Sequence, residues 1–259
     1  MRRLSVLLAA LGAAGLLGTS EVGRTEDSAP AVEPRAAELV RSMAKELAAA
    51  KAIQVTTEFT LDVVLEDGQK LQYGGESKSW LRRPNRLRTE RIGERGETVF
   101  VYDGKRVVLH VMPENYYATR EAPANLDELL DFMEARLDIA PPGMDLLYAD
   151  GGLALLDGVT SGIVVGVAKV AGRSCHHLAF RSRDVDWQLW VEAGERPLPC
   201  RLVITTLDVE RSPEMSVTFR EWDTAPELAD PLFDFTPPEG ATKIVFQDSA
   251  AAPMKGESE

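Results

Sequence analysis

The chain has 259 residues, of which 44% are hydrophobic and 27% are charged, and its formal net charge at pH 7 is -12. Phosphate backbones and anionic lipid surfaces repel so acidic a protein, which excludes nucleic acid as an expected partner and allows only transient contact with a membrane. The hydrophobic content is ordinary for a globular domain, and the length is sufficient for one sizeable core but small for two.

The first twenty residues have the features of a signal peptide. Two arginines precede the apolar run LSVLLAALGAAGLLG, and small residues follow this run before a candidate cleavage site at Glu21. The run is fifteen residues long, short of the roughly 20 that span a bilayer, which disfavours the alternative of a membrane anchor. A lipoprotein would need a cysteine just after the run, and none is there. We therefore expect residues 1–20 to be cleaved from an exported protein that is not a lipoprotein.

The segments 21–34 and 247–259 are rich in alanine, proline, serine and glutamate and have no apolar periodicity. Such segments cannot bury enough apolar surface to offset the entropy lost on ordering, so we expect a disordered linker and a disordered tail. Residues 35–246 between them are expected to form a single domain.

The domain is predicted to open with an amphipathic helix in PRAAELVRSMAKELAAAKA, which starts at a proline and has apolar residues at helical spacing. The periodicity then falls to two in IQVTTEFTLDVVLEDGQ, where Phe59 and Leu61 belong to an apolar face and their neighbours are polar. This pattern predicts a long strand with one face in water. Further strands, joined by short turns, are predicted at 69–82, 86–93, 97–103 and 106–112.

A central helical insertion interrupts the strands. NLDELLDFMEARLDIA begins with Asn125 as a candidate helix cap and repeats apolar residues on one side, among them Leu130 and Met133. GMDLLYADGGLALLDGV predicts two short helical turns broken by a glycine pair, and strands resume from about 160 to 222. A long antiparallel sheet curls as it twists, and helices are the expected cover for its apolar face. We therefore predict an α+β fold in which a curled antiparallel sheet, open as a half-barrel, is covered by the N-terminal helix and the central insertion.

Three consecutive strands are predicted in CHHLAFRSRDVDWQLWVEAGERPLPCRLVITT, which contains both cysteines and two of the three histidines. Adjacent side chains on a strand point to opposite faces, so His176 and His177 do not converge on one metal ion. The chain has neither a His-Glu-x-x-His nor a Cys-x-x-Cys motif. Ligation by Cys175, His177 and a distant carboxylate remains open, but neither a metal nor another cofactor is expected.

The two cysteines raise the question of a disulfide, because an exported protein meets an oxidising compartment. Cys175 and Cys200 are predicted on strands that lie on either side of the strand containing Trp187. Two strand spacings of about 4.8 Å separate them by about 9.6 Å, which is more than the roughly 7 Å that a disulfide bridges. On this geometry the cysteines are expected to be unbonded, unless the register or a flanking loop brings them closer.

The basic run RRPNRLRTER, from Arg82 to Arg91, is a candidate anion site. Its five arginines, which are Arg82, Arg83 and Arg91 as well as Arg86 and Arg88, would clasp a phosphate or carboxylate head group at the entrance of a cavity. The alternative is that Arg86 and Arg88 lie with Glu90 on the solvated face of an edge strand, which we consider the better interpretation.

Four segments of the chain resemble the DUF2092 family of predicted periplasmic bacterial proteins: DGKRVVLHVMPENYYAT, DLLYADGGLALLDGVTSG, CHHLAFRSRDVDWQLWVEAGERPLPCRLVIT and PLFDFTPPEGATKI. The resemblance covers about residues 35–246 and is most specific in 175–206. The family has no established activity. Its fold is similar to the LolA-like and LolB-like half-barrels of lipoprotein carriers and receptors, and to the first domain of MucB-type envelope-stress regulators. The resemblance therefore implies a periplasmic location and a concave apolar surface able to accept acyl chains.

Three classes of function follow. The favoured one is a periplasmic protein that binds an apolar ligand, such as a lipid or a lipoprotein acyl chain, in the half-barrel. The alternative is a scaffold or stress sensor that binds another envelope protein and no small molecule. An enzyme is not expected, because the chain has no Gly-x-Ser-x-Gly, metal or phosphate-loop motif. The candidate ligand-binding residues are Phe59, Leu61, Trp80, Leu130, Met133, Trp187, Trp190, Arg86 and Arg88; the tryptophans would also fill an ordinary core.

Overall fold

The computed structural model describes residues 31–246 except 138, 140 and 142. The signal peptide predicted at 1–20, most of the linker predicted at 21–34 and the tail predicted at 247–259 lie outside the described residues. At the end of that linker, Ala31 and Glu33 lie against a strand: the Gly162 backbone N–H donates to the Ala31 carbonyl at 2.9 Å, and Glu33 N–H donates to the Gly162 carbonyl at 2.8 Å.

One sheet and two α-helices make up the described chain. The helices are α1 (Pro34–Ala49) and α2 (Leu126–Phe132); α2 continues as a π-helical turn at Met133–Leu137, and 3-10 turns follow at Met144–Leu147, Leu153–Leu156 and Asp230–Phe233. The strands are β1 (Ala52–Val64), β2 (Lys70–Arg82), β3 (Arg86–Gly93), β4 (Gly96–Tyr102), β5 (Arg106–Val111), β6 (Tyr116–Glu121), β7 (Ser161–Val170), β8 (Arg173–Arg181), β9 (Val185–Glu192), β10 (Pro199–Thr206), β11 (Glu214–Asp223) and β12 (Thr242–Ile244).

The sheet consists of two meanders joined at their inner strands. Its order is β12-β6-β5-β4-β3-β2-β1-β11-β10-β9-β8-β7, so the first meander (β1 to β6) meets the second (β7 to β11) where β1 pairs with β11. All neighbours are antiparallel except β12, which runs parallel to β6. The sheet is curled and unclosed, as predicted, and both helices lie on its concave face.

The helix α1 covers the second meander. It begins at Pro34, whose missing N–H costs nothing in the first turn, and buries a face that includes Val40, Met43 and Leu47 against β7 and β9. Each of these three side chains is fully buried, and burial of one such side chain contributes about 1.5–3 kcal/mol. The apolar spacing in the sequence therefore predicted this helix and its buried face correctly.

The sheet contains two strands that were not predicted, and a third strand lies inside the sheet instead of at its edge. β6 and β12 were not predicted, because YYATRE lacks a clear alternation and β12 has only three residues, all exposed. β3 pairs with β2 on one side and with β4 on the other. The prediction that Arg86 and Arg88 lie on an edge strand is therefore wrong, and their polarity reflects a solvated face of an interior strand.

The prediction that the cysteines are unbonded is also wrong: Cys175 and Cys200 form a disulfide with a Cα–Cα distance of 6.7 Å. Cys175 lies opposite Glu192, the last residue of β9. Cys200 is the extra residue of a bulge, since Pro199 pairs with Val191 and Arg201 pairs with Trp190. The bond thus passes the end of β9, where the flanking strands converge, rather than crossing the full width of a paired strand.

Candidate ligand cavity

A cavity of about 420 Å³ lies between the concave face of the first meander and the described residues of the segment 126–147, that is, all but 138, 140 and 142, which we call the cover. Strands β1 to β5 and β11 supply its floor and walls, and the cover supplies its roof. Its volume lies within the range of about 300–1,000 Å³ that is usual for small-molecule sites. The lining residues from the sheet are Val55, Thr57, Phe59, Leu61, Ser77, Ser79, Leu87, Thr89, Arg91, Thr98, Phe100, Leu109, Met215, Phe219 and Trp222.

Phe59 on β1 has room to lie across the floor because its neighbour on β2 is a glycine. Phe59 pairs with Gly75, and a Cβ at that position would lie 2.6 Å from both the Phe59 ring and the Ile92 carbonyl oxygen. Any side chain there would therefore displace the ring or the backbone of β3. The ring is covered in turn by Arg91, whose guanidinium carbon lies 4.3 Å from the ring centroid.

Hydroxyl groups cross the floor between the apolar walls. Thr57 and Ser77 share a hydrogen bond of 2.7 Å between β1 and β2, and Ser79 and Thr89 share one of 3.0 Å between β2 and β3. Thr98 on β4 is the cross-strand partner of Arg91 and continues the row of Thr57 and Ser77. The floor therefore carries two adjacent rows of polar side chains, unlike a solid core, where such positions would carry aliphatic side chains.

The cover is anchored at both ends of its first helix. The Asn125 side chain accepts a hydrogen bond of 2.9 Å from the Glu128 backbone N–H and so caps α2, as predicted. Farther along, the Tyr148 hydroxyl donates to Asp131 at 2.8 Å, and the Ala149 N–H donates to Asp127 at 2.9 Å. Apolar residues of the cover face the cavity between these anchors: Leu130, Met133, Ile139, Met144, Leu146 and Leu147.

A bulge in β11 brings two aromatic side chains to the same wall. Phe219 and Trp222 are three residues apart, so strict alternation would place them on opposite faces. The register shifts at this point: Thr57 pairs with Phe219 and Thr56 with Glu221, which leaves Arg220 as the extra residue. Both rings consequently line the cavity and stack with their centroids 5.2 Å apart. Trp222 Nε1 donates to the Pro199 carbonyl at 2.9 Å.

Arg91 is the charged residue of the lining, and its surroundings hold no opposite charge. Burial lowers the pKa of Arg91 below its ordinary value, and the nearby positive charge of Arg95 lowers this pKa further. Within the described ranges no carboxylate pairs with the Arg91 guanidinium. The cavity thus combines apolar walls, a row of hydroxyl groups and one partly desolvated positive charge.

The structure brings four of the nine candidate ligand residues to this cavity and leaves five outside it. Phe59 and Leu61 lie in the floor, and Leu130 and Met133 lie in the roof. Trp187 is buried in the core beneath α1, where its ring stacks on Phe180 with a centroid distance of 4.1 Å. It therefore fills the ordinary core, which was the other interpretation of the tryptophans.

The other four candidates lie on the convex face of the sheet. Alternation from the concave residues places them there, and each has a partner on that face. Trp80 Nε1 donates to the Gln54 side chain at 2.8 Å, and Trp190 stacks on His177 with ring centroids 4.0 Å apart. The remaining pairs are Arg88 with Glu90 at 2.7 Å and Arg86 with the Asn85 side chain at 2.8 Å.

Sequence reasoning missed Met215, Phe219 and Trp222 as wall residues. Met215 and Phe219 do alternate with polar residues in EMSVTFREWD, which signals a strand with one apolar face. The pairing of that strand with β1, from which it is far in sequence, has no local signal. Trp222 could not be predicted as a wall residue, because the bulge breaks the alternation.

The histidine pair has a structural role in the described fold. His177 Nε2 and the Gln188 side-chain oxygen are 2.9 Å apart, and the His177 ring stacks on Trp190. Among residues 31–246 as described, no group of three histidine, cysteine, aspartate or glutamate side chains is arranged to hold a metal ion. Cys175 is in the disulfide, so the ligand set left open in the sequence, Cys175 with His177, is not formed.

The fold and the cavity define a covered half-barrel, with a largely apolar cavity between the sheet and the cover. The chain belongs to the DUF2092 family of predicted periplasmic proteins, whose sequence profile matches residues 36–247. Among curated proteins, none matches the chain significantly. None of the helices in the described ranges is long and apolar enough to span a bilayer.

Solved structures with a similar fold share little sequence with this chain. LprF from Mycobacterium bovis is 12% identical with a TM-score of 0.48, over 82% of this chain and 100% of LprF. An uncharacterized conserved protein from Thermus thermophilus is 12% identical with a TM-score of 0.46, over 82% of this chain and 99% of the other. MucB is 14% identical with a TM-score of 0.45, over 79% of this chain and 64% of MucB. At these identities the likeness concerns the fold and carries no function.

Proposed function

We propose that this protein is a non-enzymatic periplasmic protein that binds an apolar chain, either of a lipid or of a lipoprotein, in the cavity under the cover. The observation that carries this proposal is the cavity itself, which separates two apolar surfaces that would otherwise close into a core. Phe59 and Leu61 on β1 face Leu130 and Met133 on the cover, with about 420 Å³ of space between them. Membership of a family described as periplasmic supports the location.

The build of the cover supports entry of a ligand. It is made of a seven-residue α-helix, a π-helical turn and a four-residue 3-10 turn. Short separate elements open at a lower free-energy cost than one long packed helix, because each opens without the others. Met133 and Met144 in the roof are unbranched and flexible, so they can repack around chains of different shape.

The experiment that tests this function is mass spectrometry of lipids bound to protein purified, without detergent, from its own cell envelope. We expect a lipid to copurify in about stoichiometric amount. The uncharged fluorescent probe N-phenyl-1-naphthylamine is expected to bind the delipidated protein and to be displaced by added lipid. Absence of both the lipid and probe binding would contradict the proposal.

A second candidate function is a scaffold or stress sensor that binds another envelope protein. The observation that favours it is the part of the terminal strand β7 beyond the residues paired with Ala31–Glu33, where the side chains of Val165 and Val167 are exposed. An exposed apolar strand at the end of a sheet is a site to which an extended segment of a partner can add. This function is expected instead of the first if neither lipid nor probe binds and filling the cavity destabilises the fold.

A further inference from the structure

We propose that the ligand is a single-chain amphiphile with an anionic head group, carboxylate or phosphate, and that Arg91 binds that head group. The inference rests on the proposed function and adds to it the chemical class of the ligand and the residue that selects it. It follows from three independent features of the cavity: an unpaired arginine, a row of hydroxyl groups beside it, and a limited volume.

Arg91 differs from the other arginines of its basic run in having no polar partner among the residues that the structure describes. It contacts the face of the Phe59 ring, and no acidic group contributes to its electrostatic surroundings. Each of the others is held by a protein oxygen: Arg82 by Asp230, Arg83 by the Tyr148 carbonyl, Arg86 by Asn85 and Arg88 by Glu90. Those four arginines are structural, whereas Arg91 retains its full donor capacity for a ligand.

The charge of Arg91 is poorly compensated as well as unpaired. Arg91 is partly buried at the cavity wall, and Arg95, the nearest cation, lies in the turn after β3. Arg95 itself contacts the Tyr73 ring at 5.3 Å. An anion placed beside Arg91 would offset both the burial of one charge and the repulsion between two. In a partly desolvated site, such a charge-assisted hydrogen bond is stronger than it would be in water.

Hydroxyl groups of the floor flank Arg91 on the two neighbouring strands. Ser77 on β2 and Thr98 on β4 are its direct neighbours in the sheet, and both line the cavity. The Ser77 hydroxyl already shares a hydrogen bond with Thr57, yet a hydroxyl retains further acceptor or donor capacity. A polar head group at this end of the cavity would thus find neutral partners next to the charge, while the chain extends among Phe100, Leu109 and the roof.

The volume limits the number of chains. A cavity of about 420 Å³ is at the lower end of the range for small-molecule sites. It therefore suits one acyl chain better than the several chains of a complete lipoprotein anchor.

The test uses N-phenyl-1-naphthylamine bound to the full mature protein and three competitors with the same ten-carbon chain: decanoate, decyl phosphate and decanol. All are used below their solubility and micelle limits. We expect decanoate or decyl phosphate to displace the probe at a concentration at least about tenfold lower than decanol, because the anions gain a charge-assisted hydrogen bond. Preference between the two anions identifies the head group.

Three variants locate the effect. Arg91→Met is expected to remove the preference, so that decanol and the anions displace the probe at similar concentrations, whereas Arg91→Lys retains part of the preference. Arg88→Met is the matched control, since Arg88 lies on the same strand but on the convex face, where it pairs with Glu90. It is expected to behave as the parent protein.

The outcomes separate this inference from the function on which it rests. Failure of the probe to bind the delipidated parent protein, together with the absence of a copurifying lipid, contradicts the proposed function and with it the inference. Probe binding with equal displacement by decanol and by the anions overturns the inference alone. So does an anion preference that persists in Arg91→Met. If Arg91→Met fails to fold, the comparison of decanol with the two anions on the parent protein still tests the inference.

Discussion

Met133 and Leu129 lie one turn apart on the same cover, but only Met133 borders the cavity, whereas Leu129 is completely buried in packed core. Substitutions at these two positions therefore distinguish an open cavity from a closely packed core. Met133→Trp is expected to leave the free energy of unfolding unchanged or higher and to block binding of N-phenyl-1-naphthylamine.

Leu129→Trp is the control for this substitution, because overpacking of a closed core destabilises by about 1–3 kcal/mol. Urea unfolding followed by circular dichroism measures both variants. If Met133→Trp loses as much stability as Leu129→Trp, the apparent cavity behaves as solid core and the ligand-binding function is wrong.

The disulfide between Cys175 and Cys200 closes a loop across three strands of the second meander. Replacement of both cysteines by alanine is expected to lower the free energy of unfolding by about 2–5 kcal/mol, because the unfolded chain regains the entropy of the open loop. Urea titration with and without a thiol reductant measures the effect. The reductant should reproduce the loss in the parent protein and have no effect on the double variant; an unchanged parent midpoint after reduction would refute the role of the bond.

Asp62 joins three strands, and its ionisation is expected to make stability depend on pH. Burial raises the pKa of Asp62, but hydrogen bonds from Lys70 at 2.8 Å, the Glu214 backbone N–H and Gln72 outweigh it, so the pKa lies below the ordinary value of 3.8. A carboxyl whose pKa is lower in the folded state stabilises the fold above the unfolded pKa, and this contribution is lost as the pH falls through the folded pKa.

Asp62→Asn is accordingly expected to lower the free energy of unfolding at pH 7, and its difference from the parent should shrink as the pH falls below about 3.8. Asp186→Asn is the control, since Asp186 pairs with the exposed Arg181 and exposed ion pairs contribute little. Urea unfolding at a series of pH values measures the difference. A gap between parent and Asp62→Asn that is as large at pH 3 as at pH 7 would show that the charge is not responsible.

The mature protein is expected to begin near Glu21 and to occur in the soluble periplasmic fraction, because two arginines and an apolar run precede that position and the run is not directly followed by a cysteine. N-terminal sequencing of the exported protein measures this directly. Recovery of an intact Met1 in the membrane fraction would be the contrary result.

Sequence periodicity predicted those parts of the site that depend on local order. The alternation in β1 placed Phe59 and Leu61 on one face, and the spacing in α2 placed Leu130 and Met133 on another. The β11 wall could not be predicted, because its neighbour β1 lies far away in sequence and the bulge at Arg220 reverses the alternation before Trp222.

Two errors have a common physical origin, which is the assumption of regular strands with known neighbours. The estimate of about 9.6 Å between Cys175 and Cys200 assumed that β9 separates them along its whole length, whereas β9 ends beside the bulge at Cys200. The assignment of Arg86 and Arg88 to an edge strand assumed the order of the sheet. Position within a sheet depends on long-range pairing, which one strand's residues do not encode.

The junction of β1 with β11 has a consequence for the order of events during folding. Each meander pairs strands that are close in sequence, but the junction brings together residues as far apart as Gln54 and Asp223. Closing so long a loop is slow, so the junction is expected to form after the two meanders. Phe59 and Phe219 reach the same cavity only across that junction. On the proposed function, the complete site with its β11 wall is therefore expected only once this junction has formed.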